Sequence, residues 1–283
     1  MLTFPLLLPF ILPLAFGCPQ HENHIAPLHN NGQIIVSTST AHSPPYWSYD
    51  TSYDWGRLSP DYTLCQVGTN QSPIALWLND GLPNRRPPDF TGYRPNATGE
   101  YYNWGYGPAF TFYHHEGDYS GLPTIEVDNQ TLYMKGWHIH APSDHVIDGK
   151  RSRAELHLVH YDTSGAASAV ISIRLGASRE GSLFFAQLPS PAVHFNDTSA
   201  IQNVVIDPLQ IIREVGDFAE FWTYKGSLTT PPCTEGVQWF VARETLLVGV
   251  KQMQDILGAS TFAARVEQEV CGAVPSDARG SGC

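Results

Sequence analysis

Residues 136–145, GWHIHAPSDH, set three imidazoles within eight positions of a stretch that otherwise reads as a β-strand. An imidazole can bridge hydrogen bonds, move protons near neutral pH, or give a lone pair to a metal. Side chains at i and i+2 of a strand share a face, so His138 and His140 point one way and Ile139 the other. The segment RAELHLVHYD, 153–162, reads as a second strand, with Glu155, His157 and Val159 on one face and Leu156, Leu158 and His160 on the other. Asp148-Gly149 in the linker is a hairpin-type turn signal. If the two strands pair as antiparallel neighbours, His157 sits opposite His138 and His140, and three imidazoles reach one point.

Three histidines with an open fourth position are a known ligand set for catalytic zinc, at Zn–N distances of about 2.0–2.1 Å. Such an ion lowers the pKa of bound water to about 7. Copper or nickel would also accept three imidazoles. The plainer alternative is a polar cluster on a solvated sheet face. Glu155, two residues before His157 on the same face, has the spacing of a carboxylate that orients a ligand imidazole. His145 and His160 read as hydrogen-bonded structural histidines.

The elements that must hold these groups are mostly strands. Alternation recurs at 108–114, 131–140, 154–161, 168–175 and 236–242, separated by clusters of Gly, Pro, Asn and Asp. Two helices are predicted, over 206–215 with Asp207 as cap and Pro208 in the first turn, and over 244–257. The aromatic, turn-rich PPYWSYDTSYDWGRLSPDY is expected to pack over the core as an ordered loop. The division expected is a signal peptide at 1–17, a polar arm at 18–43, one mostly β domain at 44–258, and a partly disordered tail at 259–283. The apolar run of the first 17 residues is short for a bilayer and is interrupted by Pro5, Pro9 and Pro13.

Export would suit the sequons at Asn70, Asn96, Asn129 and Asn196, and five cysteines, an odd number that leaves one thiol free, capped or bridging to a second copy in a homodimer. Pro73 after the Asn70 sequon weakens that position. The net charge of −11, with no basic block, argues against nucleic acid and anionic lipid as partners, and the polar C-terminus carries no membrane or lipid-anchor signal. The partner expected is small and neutral, or another protein. There is no G-x-S-x-G and no H-E-x-x-H, which removes the usual serine hydrolase and zinc metalloprotease signatures.

Taken together, GWHIHAPSDH, AELHLVH, KGSLTTPPCTEGVQW (225–239) and NQSPI (70–74) resemble the α-class carbonic anhydrases, from about Trp47 to Ile256. The resemblance implies a mainly β (α+β) single domain around a large, predominantly antiparallel twisted sheet, with a few short surface helices and zinc at the base of a conical cleft. It implies reversible hydration of CO2 to bicarbonate and a proton by attack of zinc-bound hydroxide, in a secreted enzyme. His138, His140 and His157 match the zinc ligands. Thr229 matches the residue that aims the hydroxide, and Thr230 a neighbour of the bound substrate. Val159, Val170, Leu228, Val237 and Trp239 match the apolar wall against which CO2 rests. Cys65 and Cys233 match a disulfide of exported members.

Four positions depart from that pattern. Asp144 stands where a glutamate usually accepts the proton of the Thr229 hydroxyl. Tyr106, in N-W-G-Y, occupies the place of a histidine proton shuttle, and its ordinary pKa near 10 suits that role poorly. Gly136 replaces a glutamine that supports the first zinc histidine. The usual N-x-R-P strand near the C-terminus is absent. The alternatives these departures leave are a weak or inactive binding module of the same fold, and slow esterase activity as a side reaction.

Overall fold

The computed structural model describes residues 47–269, apart from 81, 82, 84, 116, 191–196, 198 and 199, together with the backbone of 29–30 and 33–34. The expected signal peptide, nearly all of the polar arm, Asn196, Cys18, Cys271 and Cys283 lie outside the described residues.

The alternating segments do form strands, and they assemble into one large sheet. Its order is Gln202–Ile206, Ala97–Asn103, Pro108–Phe112, Gln130–His140, Ala154–Tyr161, Ala167–Ser178, Glu235–Ala242 and Phe221–Ser227. Leu246–Gly249 adds alongside Ala167–Ser178, and Thr124–Val127 alongside Gln130–His140. Most pairs are antiparallel, but Ala167–Ser178 pairs in parallel with both Glu235–Ala242 and Leu246–Gly249. The sheet is therefore predominantly antiparallel, as expected, and mixed through these two parallel pairings. Parallel neighbours need a long crossover, and residues 179–234 supply it for the first of these pairs.

The two histidine-bearing strands are central neighbours. His138 pairs with His157, and His140 with Glu155. Their other faces carry Trp137, Ile139, Leu156 and Leu158, all fully buried in the main core. Each such side chain contributes about 1.5–3 kcal/mol on burial, so the apolar face fixes the register and thereby the direction of the imidazoles. On the histidine face, Val159, Val170, Tyr161, Val237 and Trp239 form a second apolar cluster. A third gathers Trp47, Tyr49, Trp55, Tyr62 and Ala263 around Cys65 and Cys233, so the aromatic N-terminal segment does pack as ordered structure, with short helical turns at Trp55–Leu58 and Leu64–Val67.

Three expectations are corrected in detail. The helix expected over 206–215 is shorter, Leu209–Arg213, and Asp207 caps it by accepting the Leu209 N–H at 3.0 Å. The helix expected over 244–257 begins only at Val250 and runs to Gly258, because Leu246–Gly249 is a strand. Leu246 and Val248 are buried while Leu247 is exposed, a period of two that the open sheet edge satisfies. Finally, the packed domain does not stop at 258. Phe262 bridges Ala141, Ala263 N–H donates to the Ala141 carbonyl, and Arg265 is fully buried. The segment that lacks N-x-R-P thus packs beside the histidine strand after all.

Candidate metal centre

His138, His140 and His157 are buried, and each offers one ring nitrogen within 4.8 Å of the others. The Nε2 atoms of His138 and His140 are 3.0 Å apart. Two donors 2.0–2.1 Å from one tetrahedral ion lie about 3.3 Å apart, so the spacing is that of a shared ligand sphere. The outer nitrogens are held by acceptors. His140 Nδ1 lies 2.7 Å from the Ala263 carbonyl, which can only accept, so that nitrogen carries the proton and Nε2 keeps its lone pair. His157 Nε2 donates to Glu155 Oε1 at 2.7 Å, which turns its Nδ1 lone pair inward. These are the orienting contacts that metal-ligating histidines use. Burial lowers the His140 pKa, and its neighbour His157 lowers it further, which keeps the ring neutral.

A second group, His145, Glu155 and His157, is also close enough for an ion. Its donors are already occupied. His145 Nδ1 is 2.6 Å from Glu155 Oε1 and His145 Nε2 is 2.8 Å from the Tyr224 hydroxyl. Glu155 Oε1 also accepts from Ser172 Oγ, and its Oε2 accepts the His145 N–H. Burial works to raise the Glu155 pKa, but the charge and hydrogen bonds of His145 and His157 outweigh it and hold the carboxyl well below its ordinary range. This group is a hydrogen-bonded support, and the three-histidine set fits the metal.

Of the residues expected around the histidines, Trp239 packs on His157 with ring centroids 5.0 Å apart, and Asp144 Oδ2 lies 3.4 Å from His140 Nδ1. Thr229 and Thr230 are buried, and Leu228 packs against the Val159, Val170, Val237 and Trp239 cluster. Thr229 Oγ1 makes no hydrogen bond, and neither does Asp144 Oδ2. The other Asp144 oxygen accepts the Arg265 N–H at 2.8 Å. Tyr106 is half-buried, stacked on Trp47 with ring centroids 5.4 Å apart, and its hydroxyl donates to the Trp47 carbonyl at 2.9 Å. Burial, with Asp50 nearby, raises the Tyr106 pKa to about 12.

Cys65 and Cys233 form the disulfide. Asn96 and Asn129 are exposed in left-handed backbone at φ 61° and 63°. Asn70 is also exposed, but its sequon hydroxyl, on Ser72, is fully buried and accepts from the Tyr224 hydroxyl and the Ser227 N–H.

Several groups in the site carried no signal in the sequence. Arg265 is a lone basic residue in an apolar stretch, yet its guanidinium donates to the Ser72 and Cys65 carbonyls at 2.7 and 3.2 Å and faces the Trp55 ring. Tyr49 puts its hydroxyl 3.4 Å from His140 Nδ1. Trp104 packs against both His138 and His140, at 5.3 and 5.6 Å between centroids.

The family model described as eukaryotic-type carbonic anhydrase matches residues 50–270. A curated carbonic anhydrase from Pectobacterium atrosepticum is 28% identical over 76% of this chain and 84% of its own length. Alpha carbonic anhydrase 7 of Arabidopsis thaliana is 33% identical over 71% and 70%. Among solved structures, the α-carbonic anhydrase of Thermovibrio ammonificans in complex with sulfanilamide superposes with a TM-score of 0.66 at 27% identity, covering 83% of this chain and 98% of that one.

Proposed function

This chain belongs to the eukaryotic-type carbonic anhydrase family, a carbonate dehydratase acting on CO2, and we propose that it does so with a zinc ion held by His138, His140 and His157. The observation that carries the reading is the set of three buried imidazoles, two of them oriented from outside by the Ala263 carbonyl and Glu155, so that their free lone pairs converge. Held by these three rings, zinc would supply hydroxide at neutral pH, since it lowers the pKa of water from 15.7 to about 7.

The protein's own groups do the rest. Val159, Val170, Leu228, Val237 and Trp239 offer a buried apolar wall to CO2, which has no charge and no hydrogen to donate. Thr229 stands on the loop that follows Leu228 and orients the attacking oxygen, with Thr230 beside the substrate. Asp144 holds the Arg265 N–H, and the Arg265 guanidinium in turn donates to the Leu228 carbonyl beside Thr229 at 3.5 Å. Export of the proton falls to buffer, since the Tyr106 hydroxyl is bound to a carbonyl and its pKa of about 12 is far from neutrality. Slow hydrolysis of activated esters follows from the same site as a side reaction.

Secretion, with removal of residues 1–17, is part of the reading. The Cys65–Cys233 bridge suits an oxidising compartment. The exposed Asn96 and Asn129 suit glycosylation, whereas Asn70 and Asn196 rest on their sequons alone. No helix among the described residues is long and apolar enough to cross a membrane. A homodimer bridged by the odd cysteine rests on the sequence only.

Zinc analysis and stopped-flow CO2 hydration on the secreted protein test the proposal. One zinc per chain and buffer-dependent hydration are expected, with both lost in His140→Ala. Hydration absent from fully zinc-loaded protein would instead leave a binding module of this fold.

A further inference from the structure

We propose that Trp104 is a positioning residue for the ligand pair His138 and His140, holding the two imidazoles by packing one indole against both rings. The inference rests on the zinc reading above. The glutamine expected two residues before His138 is Gly136, which has no side chain to reach the ring. In its place the Trp104 indole lies against both rings, inclined at 66° to His138 and 61° to His140. Edge-to-face aromatic contacts of this kind favour one relative orientation, so they restrain rotation of each imidazole about its χ2.

The indole is anchored to the same backbone it braces. Its Nε1–H donates to the carbonyl of Ile139, the residue between the two histidines, at 3.3 Å. The turn that presents it is held at several points. Trp104 N–H donates to the Gly107 carbonyl at 3.1 Å, Gly105 N–H to Asn103 Oδ1 at 2.8 Å, and Asn103 Nδ2 to the Ala259 carbonyl at 2.7 Å. Gly107 is required for the close approach, because a Cβ there would lie 2.7 Å from the Ile139 oxygen. From the other side, Tyr106 and Tyr49 pack on the indole at 5.1 and 6.5 Å. The turn, the indole and the ligand strand therefore form one braced unit.

The test is metal affinity and metal geometry, measured apart from turnover. In the full-length protein, Trp104→Ala is expected to weaken zinc binding about tenfold in chelator competition. It should also alter the visible spectrum of the cobalt-substituted protein, which reports ligand geometry. Trp104→Phe, which keeps a ring against both imidazoles, should stay within about threefold of wild type. Should Trp104→Ala not fold, Trp104→Leu restores most of the volume without an aromatic face and carries the same expectation. Wild-type zinc affinity and an unchanged cobalt spectrum in the folded Ala or Leu variant would overturn the inference and leave the zinc reading intact. Wild-type protein that binds no zinc would overturn both.

Discussion

Asp144 and Thr229 bring a carboxylate oxygen and a hydroxyl into the same buried site, and neither Asp144 Oδ2 nor Thr229 Oγ1 makes a hydrogen bond. Oδ1 is held by the Arg265 N–H at 2.8 Å, and Oδ2 lies 3.4 Å from His140 Nδ1. A buried polar atom without a partner costs about 1–3 kcal/mol. Aspartate, one methylene shorter than glutamate and anchored by one oxygen to the Arg265 N–H, leaves a hydrogen-bonding deficit here.

Lengthening that side chain should close it. Asp144→Glu is expected to raise kcat/KM for CO2 by about tenfold, the kinetic equivalent of one hydrogen bond of about 1.4 kcal/mol formed by Thr229 in the transition state. Asp144→Asn, isosteric and uncharged, should not raise it. Stopped-flow hydration of both variants decides the point, and equal or lower rates for Asp144→Glu at unchanged stability would show that Thr229 does not need the carboxylate.

Tyr106 provides a second test. Its hydroxyl is tied to the Trp47 carbonyl and its pKa is raised to about 12 by burial and by Asp50. Tyr106→Phe should therefore leave kcat within about twofold of wild type, and turnover of both should climb with imidazole buffer concentration. Tyr106→His should raise kcat at low buffer. Fast, buffer-independent turnover in wild type would point to another internal proton carrier.

Arg265 joins the disulfide, the Ser72 turn and the Asp144 carboxylate through one buried side chain and its own N–H. Lysine cannot reproduce a planar fork of donors. Arg265→Lys is expected to lower stability by about 1–3 kcal/mol, because one ammonium cannot satisfy the buried Ser72 and Cys65 carbonyls as the fork does. Denaturant unfolding at pH 7 measures it. A change below about 1 kcal/mol would mean that water replaces the guanidinium without loss.

His160, fully buried on the strand that carries His157, makes a pH prediction. Its Nδ1–H donates to the Leu158 carbonyl at 3.1 Å and its Nε2 accepts from the Tyr93 hydroxyl at 2.7 Å. Burial lowers its pKa from 6.5 to about 3. The unfolded chain takes up the proton first, so this group's contribution is full above pH 6.5 and is lost as pH falls toward 3. Stability should decline by about 1.4 kcal/mol per pH unit on its account inside that window. Urea unfolding between pH 7 and 4 should show a shallower slope for His160→Gln than for wild type, and equal slopes would refute the assignment.

The amino-acid sequence alone determined the parts of this protein that depend on local periodicity. Alternation in two segments put His138, His140 and His157 on one face of neighbouring strands, with Trp137, Ile139, Leu156 and Leu158 on the other. A one-residue slip would bury the imidazoles in the main core, so hydrophobic burial settles the register without knowledge of the rest. The residues that make the site work came from contacts distant in sequence, which no local pattern encodes. Glu155 could be read as a support, but its shared use by His145, His157 and Ser172 could not. Arg265, the Ala263 carbonyl and Trp104 were invisible because backbone carbonyls and lone side chains acquire their roles only when the chain returns to them. The strand at Leu246–Gly249 is ambiguous in the sequence for a related reason: a short apolar run suits either a helix or a strand, and only the free edge of Ala167–Ser178 decides between them.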